Sequence, residues 1–138
     1  MPIRFFIEDV KFKPAHPVID RRWINRAIKK EKAVLKEINY IFCSDKYLLS
    51  LNQDYLSHDT LTDIITFDYV EKKGELRGEI YISTERVKEN AKAFNVDFDM
   101  ELHRVMIHGV LHLIGYKDKS PAQKKQMRLK EDAYLSLR

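Results

Sequence analysis

Residues 108–118 read HGVLHLIGYKD, and this stretch organises the rest of the chain. The apolar residues before and within it recur at three- and four-residue steps without proline, which predicts a mostly buried helix. His108 and His112 stand at i and i+4, so their imidazoles share one face of that helix, about one turn apart. Gly115 stands where a helix end favours a left-handed residue. The stretch therefore predicts a buried helix that ends in a reversal of the chain.

Asp118 follows this reversal of the chain, so its carboxylate can lie close to the two histidines. Two imidazoles and one carboxylate, with a fourth position left open, form a common catalytic zinc arrangement. A pair of histidines four positions apart is often a coincidence, but the glycine and the returning carboxylate each add an independent geometric requirement. The single cysteine, Cys43, excludes a thiolate-rich structural site. We therefore predict that one zinc ion binds His108, His112 and Asp118.

The length and composition of the chain bound its class. A chain of 138 residues predicts one domain, residues 1–138. With 44% hydrophobic and 33% charged residues it resembles a soluble globular protein, and no apolar run approaches the roughly 20 residues of a membrane helix. No signal segment is recognisable, so the cytoplasm is the expected location. The net charge of +4 weakly favours a polyanionic partner, although proteins without one often carry a similar excess.

The pattern along the chain is strand, helix, strand, helix, two strands and three helices, which predicts an α+β fold. We expect a small mixed four-stranded sheet with about five helices packed on it and the metal site on a buried helix. Asp20 is expected to cap the first helix, and the connection between the third and fourth strands suits a hairpin-like pairing. The four predicted strands cover residues 3–7, 38–43, 64–67 and 79–82.

The stretch at 108–118 resembles the signature H-G-x-L-H-L-x-G-Y-D-H of the YbeY family, metal-dependent endoribonucleases that mature ribosomal RNA. A second stretch is similar to the family segment N-x-x-Y-R-x-K-D-x-x-T-D-V-L-S-F, and Gly78-Glu79-Ile80 resembles its G-D-I strand. The residues that match this second segment are Asn52, Tyr55, Asp59, Thr62, Asp63 and Phe67. The resemblance implies an endoribonuclease that acts on a ribosomal RNA precursor or on the ribosome.

Four of the departures from the family pattern bear on mechanism. Asp118 stands where the family usually has a histidine ligand, and Lys117 stands where it has aspartate. An aspartate oxygen can bind zinc, but it changes the charge of the site. Leu56 and His58 replace an arginine and a lysine of the family, which removes two positive charges from the expected substrate cleft.

Other cations are therefore expected to contact the RNA. Arg77 or Lys117 could take over the role of the missing arginine, because phosphoryl chemistry needs a cation near the developing charge rather than one particular residue. Arg21, Arg22 and Arg26 form a basic face on the first helix, which we predict as a further substrate-binding surface.

Three functions fit a site of this kind. Proteases with an H-E-x-x-H motif need a glutamate beside the first histidine, and Gly109 occupies that position, so a metalloprotease-like hydrolase is disfavoured. In an endoribonuclease the ion could lower the pKa of a water molecule that attacks the phosphodiester, with His58 or Asp59 assisting. The third alternative is a ribosome-associated RNA-binding factor whose metal is mainly structural. The sequence indicates neither the general base nor an oligomeric state.

Overall fold

The computed structural model describes residues 2–56 and 62–138. In this part of the chain four strands and five helices follow one another in the order predicted. Their bounds are β1 Ile3–Ile7, α1 Pro17–Lys30, β2 Val34–Cys43, α2 Asp45–Leu56, β3 Ile64–Asp68, β4 Glu75–Ser83, α3 Thr84–Phe94, α4 Phe98–Ile114 and α5 Pro121–Leu135. The α+β class is confirmed. None of these helices has the length and apolar character needed to cross a membrane.

The strands form one mixed sheet in the order β1-β2-β4-β3. β2 pairs in parallel with β1 and β4, and β3 pairs with β4 in the antiparallel direction, as the short connection between them predicts. β2 begins at Val34, four residues earlier than expected, because its first residues pair with the start of β4 although Lys36 and Glu37 are charged. The result is a sheet whose two central strands are its longest.

The two faces of the sheet differ in what covers them. Alternate residues of β2 and β4, among them Tyr40, Phe42 and Ile80, are fully buried in the main core with the apolar faces of α1, α4 and α5. The opposite face carries a smaller cluster around Cys43, in which Leu48 of α2 packs. Because successive strand residues point to opposite faces, α4 and the residues that it carries belong to the first face.

Helix α4 is the centre of the helical layer, since it packs against β3 and β4 and against α1, α3 and α5. Its close approach to the sheet depends on Gly109. A Cβ atom at this position would lie 2.9 Å from Cδ1 of Ile64 and 2.9 Å from Cγ2 of Ile80, closer than side chains tolerate. The glycine that follows His108 thus lets the helix lie close against β3 and β4.

Asp20 does not cap α1. The helix begins three residues earlier, at Pro17, whose fixed φ suits a first helical position. Asp20 lies in the first turn with only 3% of its surface exposed, and its Oδ1 accepts hydrogen bonds from Nε and Nη2 of Arg138 at 3.0 and 2.8 Å. Its role is to tie α1 to residue 138.

Candidate metal centre

The structure brings His108, His112 and Asp118 together. The two imidazoles lie on one face of α4, and Oδ2 of Asp118 is 3.3 Å from Nε2 of His108 and 3.4 Å from Nε2 of His112. Gly115 ends the helix with φ +127°, and its amide donates to the carbonyl oxygens of the last turn. One donor atom from each of the three residues lies within 4.8 Å of the others, so this group could hold a metal ion.

The segment that carries Asp118 is fixed by a polar cluster around Glu31. The hydroxyl of Tyr116 donates to Oε1 of Glu31 at 2.5 Å, and Oε2 of Glu31 accepts from the Tyr134 hydroxyl and from Nζ of Lys130 at 3.0 Å. Burial would raise the pKa of Glu31, but these hydrogen bonds and the lysine charge outweigh it, so the pKa is lowered. An ionised Glu31 therefore joins α1, α5 and the loop two residues before Asp118.

Glu131 of α5 sets the orientation of His108. Its side chain is 6% exposed, and its Oε2 lies 2.6 Å from Nδ1 of His108. Its Oε1 accepts from Nη1 of Arg104 at 2.9 Å, and Asp132 accepts from Nη2 of the same arginine at 2.8 Å. An ionised carboxylate can only accept hydrogen bonds, so Nδ1 carries the proton and Nε2 is left to face Asp118 and a cation.

The two histidines differ in their proton affinity. Burial would lower the pKa of His108, but the hydrogen bond to Glu131 and the charges of Glu131 and Asp118 outweigh it, so this pKa is raised. Burial lowers the pKa of His112, and the neighbouring charge of His108 lowers it further. Because a metal ion requires neutral imidazoles, its binding would compete with protonation of His108.

A cavity of about 280 Å³ opens beside the histidines. Two of its carboxyl groups, those of Asp63 and Glu101, have pKa values that are raised mainly by burial. The residues that line it are Asp63, Ile64, Glu101, Arg104, Val105, His108, Asp118, Arg128 and Glu131. The candidate metal centre is thus one wall of a polar cavity in which acidic side chains outnumber arginines.

Several of the predicted site residues lie elsewhere or beyond the described part of the chain. His58 and Asp59, the expected assisting residues, fall in residues 57–61, outside the described residues. Arg21 donates from Nε to the carbonyl of Ile3 at 3.1 Å, and Arg26 donates to the carbonyl of Leu137 at 2.8 Å. These arginines of α1 take part in contacts between elements of the fold, while Arg22 stays exposed on the same helix.

The structure does not bring Arg77 and Lys117 together. Arg77 alternates along β4 with Gly78, which packs against Leu113 of α4, so its side chain lies on the opposite face of the sheet. There its Nη1 is 3.6 Å from Oε2 of Glu37. Lys117 is exposed and directly precedes Asp118. Of the two expected replacements for the missing arginine, only Lys117 is next to a candidate metal ligand in sequence, and Arg77 lies on the sheet face opposite α4.

Sequence reasoning missed three residues around the histidines, Glu131, Arg104 and Arg128. One signal for Glu131 was present in the sequence. It stands four residues after Met127 and three before Tyr134, on the apolar stripe of α5, and both of these neighbours are buried. A carboxylate on an apolar stripe requires a buried partner. Nothing in the local pattern indicates which partner it would be.

Comparison with known proteins shows the family of this chain. The profile of the family described as Endoribonuclease YbeY matches residues 9–137. An Endoribonuclease YbeY from Cytophaga hutchinsonii is 54% identical over 136 residues, 99% of this chain and 95% of the relative. One from Bacteroides fragilis is 41% identical over 138 residues, 100% of this chain and 99% of the relative.

A solved structure gives the same result for the fold. The solution structure of a protein from Thermotoga maritima superposes with a TM-score of 0.70 at 33% identity, covering 97% of this chain and 87% of that one. The family resemblance of residues 108–118 is thereby confirmed, and the similarity extends over almost the whole chain. The chain belongs to the YbeY endoribonuclease family.

Proposed function

We propose that this chain is a zinc-dependent endoribonuclease that matures ribosomal RNA precursors in the cytoplasm, with one catalytic domain over residues 1–138. The observation that carries the proposal is the cluster of His108, His112 and Asp118 beside a polar cavity. The relatives named Endoribonuclease YbeY support hydrolysis of RNA, since they match this chain over nearly its full length. The choice of ribosomal RNA rests on the resemblance to the family.

The spacing of the donor atoms supports zinc. Tetrahedral zinc with bonds of about 2.0–2.1 Å to nitrogen and oxygen spaces its ligands about 3.3–3.4 Å apart. The separations from Oδ2 of Asp118 to the two imidazole Nε2 atoms are 3.3 and 3.4 Å. Three protein ligands leave one position for water or substrate, as in catalytic sites.

The protein's own residues have defined tasks in this proposal. Zinc in such a site supplies a Lewis acid that lowers the pKa of water and polarises a phosphoryl oxygen. Glu131 holds His108 with Nε2 directed at the ligand cluster, and Arg104 holds Glu131. Proton transfer falls to His58 or Asp59, and Asp63 joins them as a candidate because it lines the cavity and burial raises its pKa.

RNA is the proposed partner, as free precursor or within the ribosome. The net charge of +4 favours a polyanion, and Lys117 beside Asp118 offers a phosphate contact near the site. Arg21, Arg22 and Arg26 are proposed contacts for more distant phosphates. Because such contacts release counterions, affinity should fall with salt by a log-log slope of roughly 0.7 per contact on single strands.

Complementation of a deletion strain tests the proposal. Cells without the protein should accumulate ribosomal RNA with unprocessed ends, and the wild-type gene should restore processing. His108→Ala should not restore processing. His16→Ala should restore it, because this variant removes an exposed histidine that is distant in sequence from residues 108–118. Full rescue by His108→Ala would refute the catalytic role and favour the RNA-binding factor with a structural metal.

A further inference from the structure

The cavity beside the candidate metal centre contains two arginines, and they differ in what holds them. Arg104 is 17% exposed, and both of its terminal nitrogens are occupied, by Glu131 at 2.9 Å and by Asp132 at 2.8 Å. Arg128 is exposed, and within residues 2–56 and 62–138 its guanidinium has no hydrogen bond or ion pair within 4.0 Å. Arg104 is therefore structural, while the donors of Arg128 are available.

The position of Arg128 relates it to the site. It lines the same cavity as His108 and Asp118, one turn before the buried Glu131 on α5. Its positive charge also acts inside the cavity, since it opposes the rise that burial and Asp63 cause in the pKa of Glu101, another lining residue. Arg128 is thus an exposed cation that lines the same cavity as His108.

The charge of the cavity makes a free cation necessary for an anionic substrate. Asp63, Glu101, Asp118 and Glu131 all line it, so a phosphate that approaches His108 meets several carboxyl groups. Arginine binds a phosphate through two parallel N–H donors, which a lysine cannot reproduce. A free guanidinium that lines an acidic cavity can hold a phosphate close to the candidate ligands, while the carboxyl groups of the cavity disfavour a deeper position of the phosphate.

We propose that Arg128 binds a phosphate of the RNA next to the bond that is cleaved. This inference rests on the proposed endoribonuclease function. It identifies a substrate-binding residue that the predicted basic face on α1 did not include. The specific form of the contact is a paired hydrogen bond from the guanidinium to two phosphate oxygens.

The test compares Arg128→Ala with Lys125→Ala. Lys125 is an exposed cation on the same helix that does not line the cavity, so its loss removes the same charge at another place. Binding of a labelled single-stranded RNA to metal-depleted protein is followed by fluorescence anisotropy, and KM and kcat are measured after zinc is restored. Arg128→Ala should weaken binding by roughly tenfold or more, and its salt slope should fall by about 0.7. KM should rise more than kcat falls.

The control variants separate a specific role of Arg128 from a general effect of lost charge or lost stability. Lys125→Ala should stay within about twofold of the wild type, Arg128→Lys should recover part of the affinity, and all three variants should unfold at the wild-type temperature. Equal effects of Arg128→Ala and Lys125→Ala, or no effect of Arg128→Ala, would overturn the role of Arg128 while leaving the endoribonuclease function intact. Failure of the wild-type protein both to bind and to cleave RNA would overturn both proposals.

Discussion

Replacement of Glu131 by glutamine tests how the second helix of the site, α5, supports metal binding. Glutamine keeps the shape of the side chain but replaces one carboxylate oxygen by an NH₂ group, which donates. In the native protein one oxygen accepts from Arg104 and the other faces Nδ1 of His108. In Glu131→Gln one of these two partners must face a donor, and the negative charge next to His108 is lost.

The expected loss of zinc affinity in Glu131→Gln follows from the geometry of the contact between Glu131 and His108. The distance from Oε2 to Nδ1 is 2.6 Å, and the side chain of Glu131 is 6% exposed, so water cannot take over the contact. Loss of such a partner behind a metal-bound histidine costs about 10- to 100-fold in metal affinity, or about 1.4–2.7 kcal/mol. We expect Glu131→Gln to bind zinc within this range below the wild type.

The assay is a zinc titration in competition with a chelator, at a pH where both histidines are neutral. Asp132→Asn is the matched control, because Asp132 also accepts from Arg104 but does not contact His108. The control should bind zinc within about twofold of the wild type, since an ion pair with an exposed partner contributes little. Wild-type affinity in Glu131→Gln, or an equal loss in both variants, would refute the idea that Glu131 orients His108.

Three further predictions concern the rest of the site and its support. Gly109→Ala should destabilise the fold by about 1–3 kcal/mol in urea unfolding, because the added Cβ meets Ile64 and Ile80 at 2.9 Å; unchanged stability would contradict the close contact of α4 with the sheet. Asp118→His should still bind one zinc per chain by metal analysis, since imidazole can replace the carboxylate, whereas Asp118→Ala should lose zinc affinity; wild-type zinc affinity in Asp118→Ala would show that residue 118 is not a ligand. Glu31→Gln should lower stability at pH 7 by about 1–2 kcal/mol. Since the folded pKa of Glu31 lies below its ordinary value of 4.5, this difference should be present above pH 4.5 and shrink as pH falls through the folded pKa; a pH-independent difference would contradict the lowered pKa.

Local signals in the sequence were sufficient for the order of the elements and for the ligand cluster. The two histidines, Gly115 and Asp118 are close in sequence, so helix geometry and one turn decide their arrangement. Ser120 likewise starts α5 with a capping box, whose two hydrogen bonds involve only residues 120–123. Each of these features depends on contacts within a few residues.

The features that were missed depend on contacts between distant residues. Asp20 looks like a helix cap in the sequence, but its partner Arg138 is 118 residues away. Glu131 meets His108 only because α5 packs on α4, and a single sequence does not specify that packing. The position of Arg77 is a different case. The alternation of apolar and polar residues over 76–82 already indicates that Arg77 faces away from the buried side of the strand, so the sequence alone could have excluded it.

Zinc-dependent cleavage of RNA is tested most directly by adding zinc back to metal-depleted protein and measuring its cleavage of a ribosomal RNA precursor. We expect no cleavage without metal, a rise in cleavage that saturates at one zinc per chain, and neither bound zinc nor cleavage in His112→Ala. Cleavage at the wild-type rate by the metal-depleted protein, or by His112→Ala, would contradict this expectation.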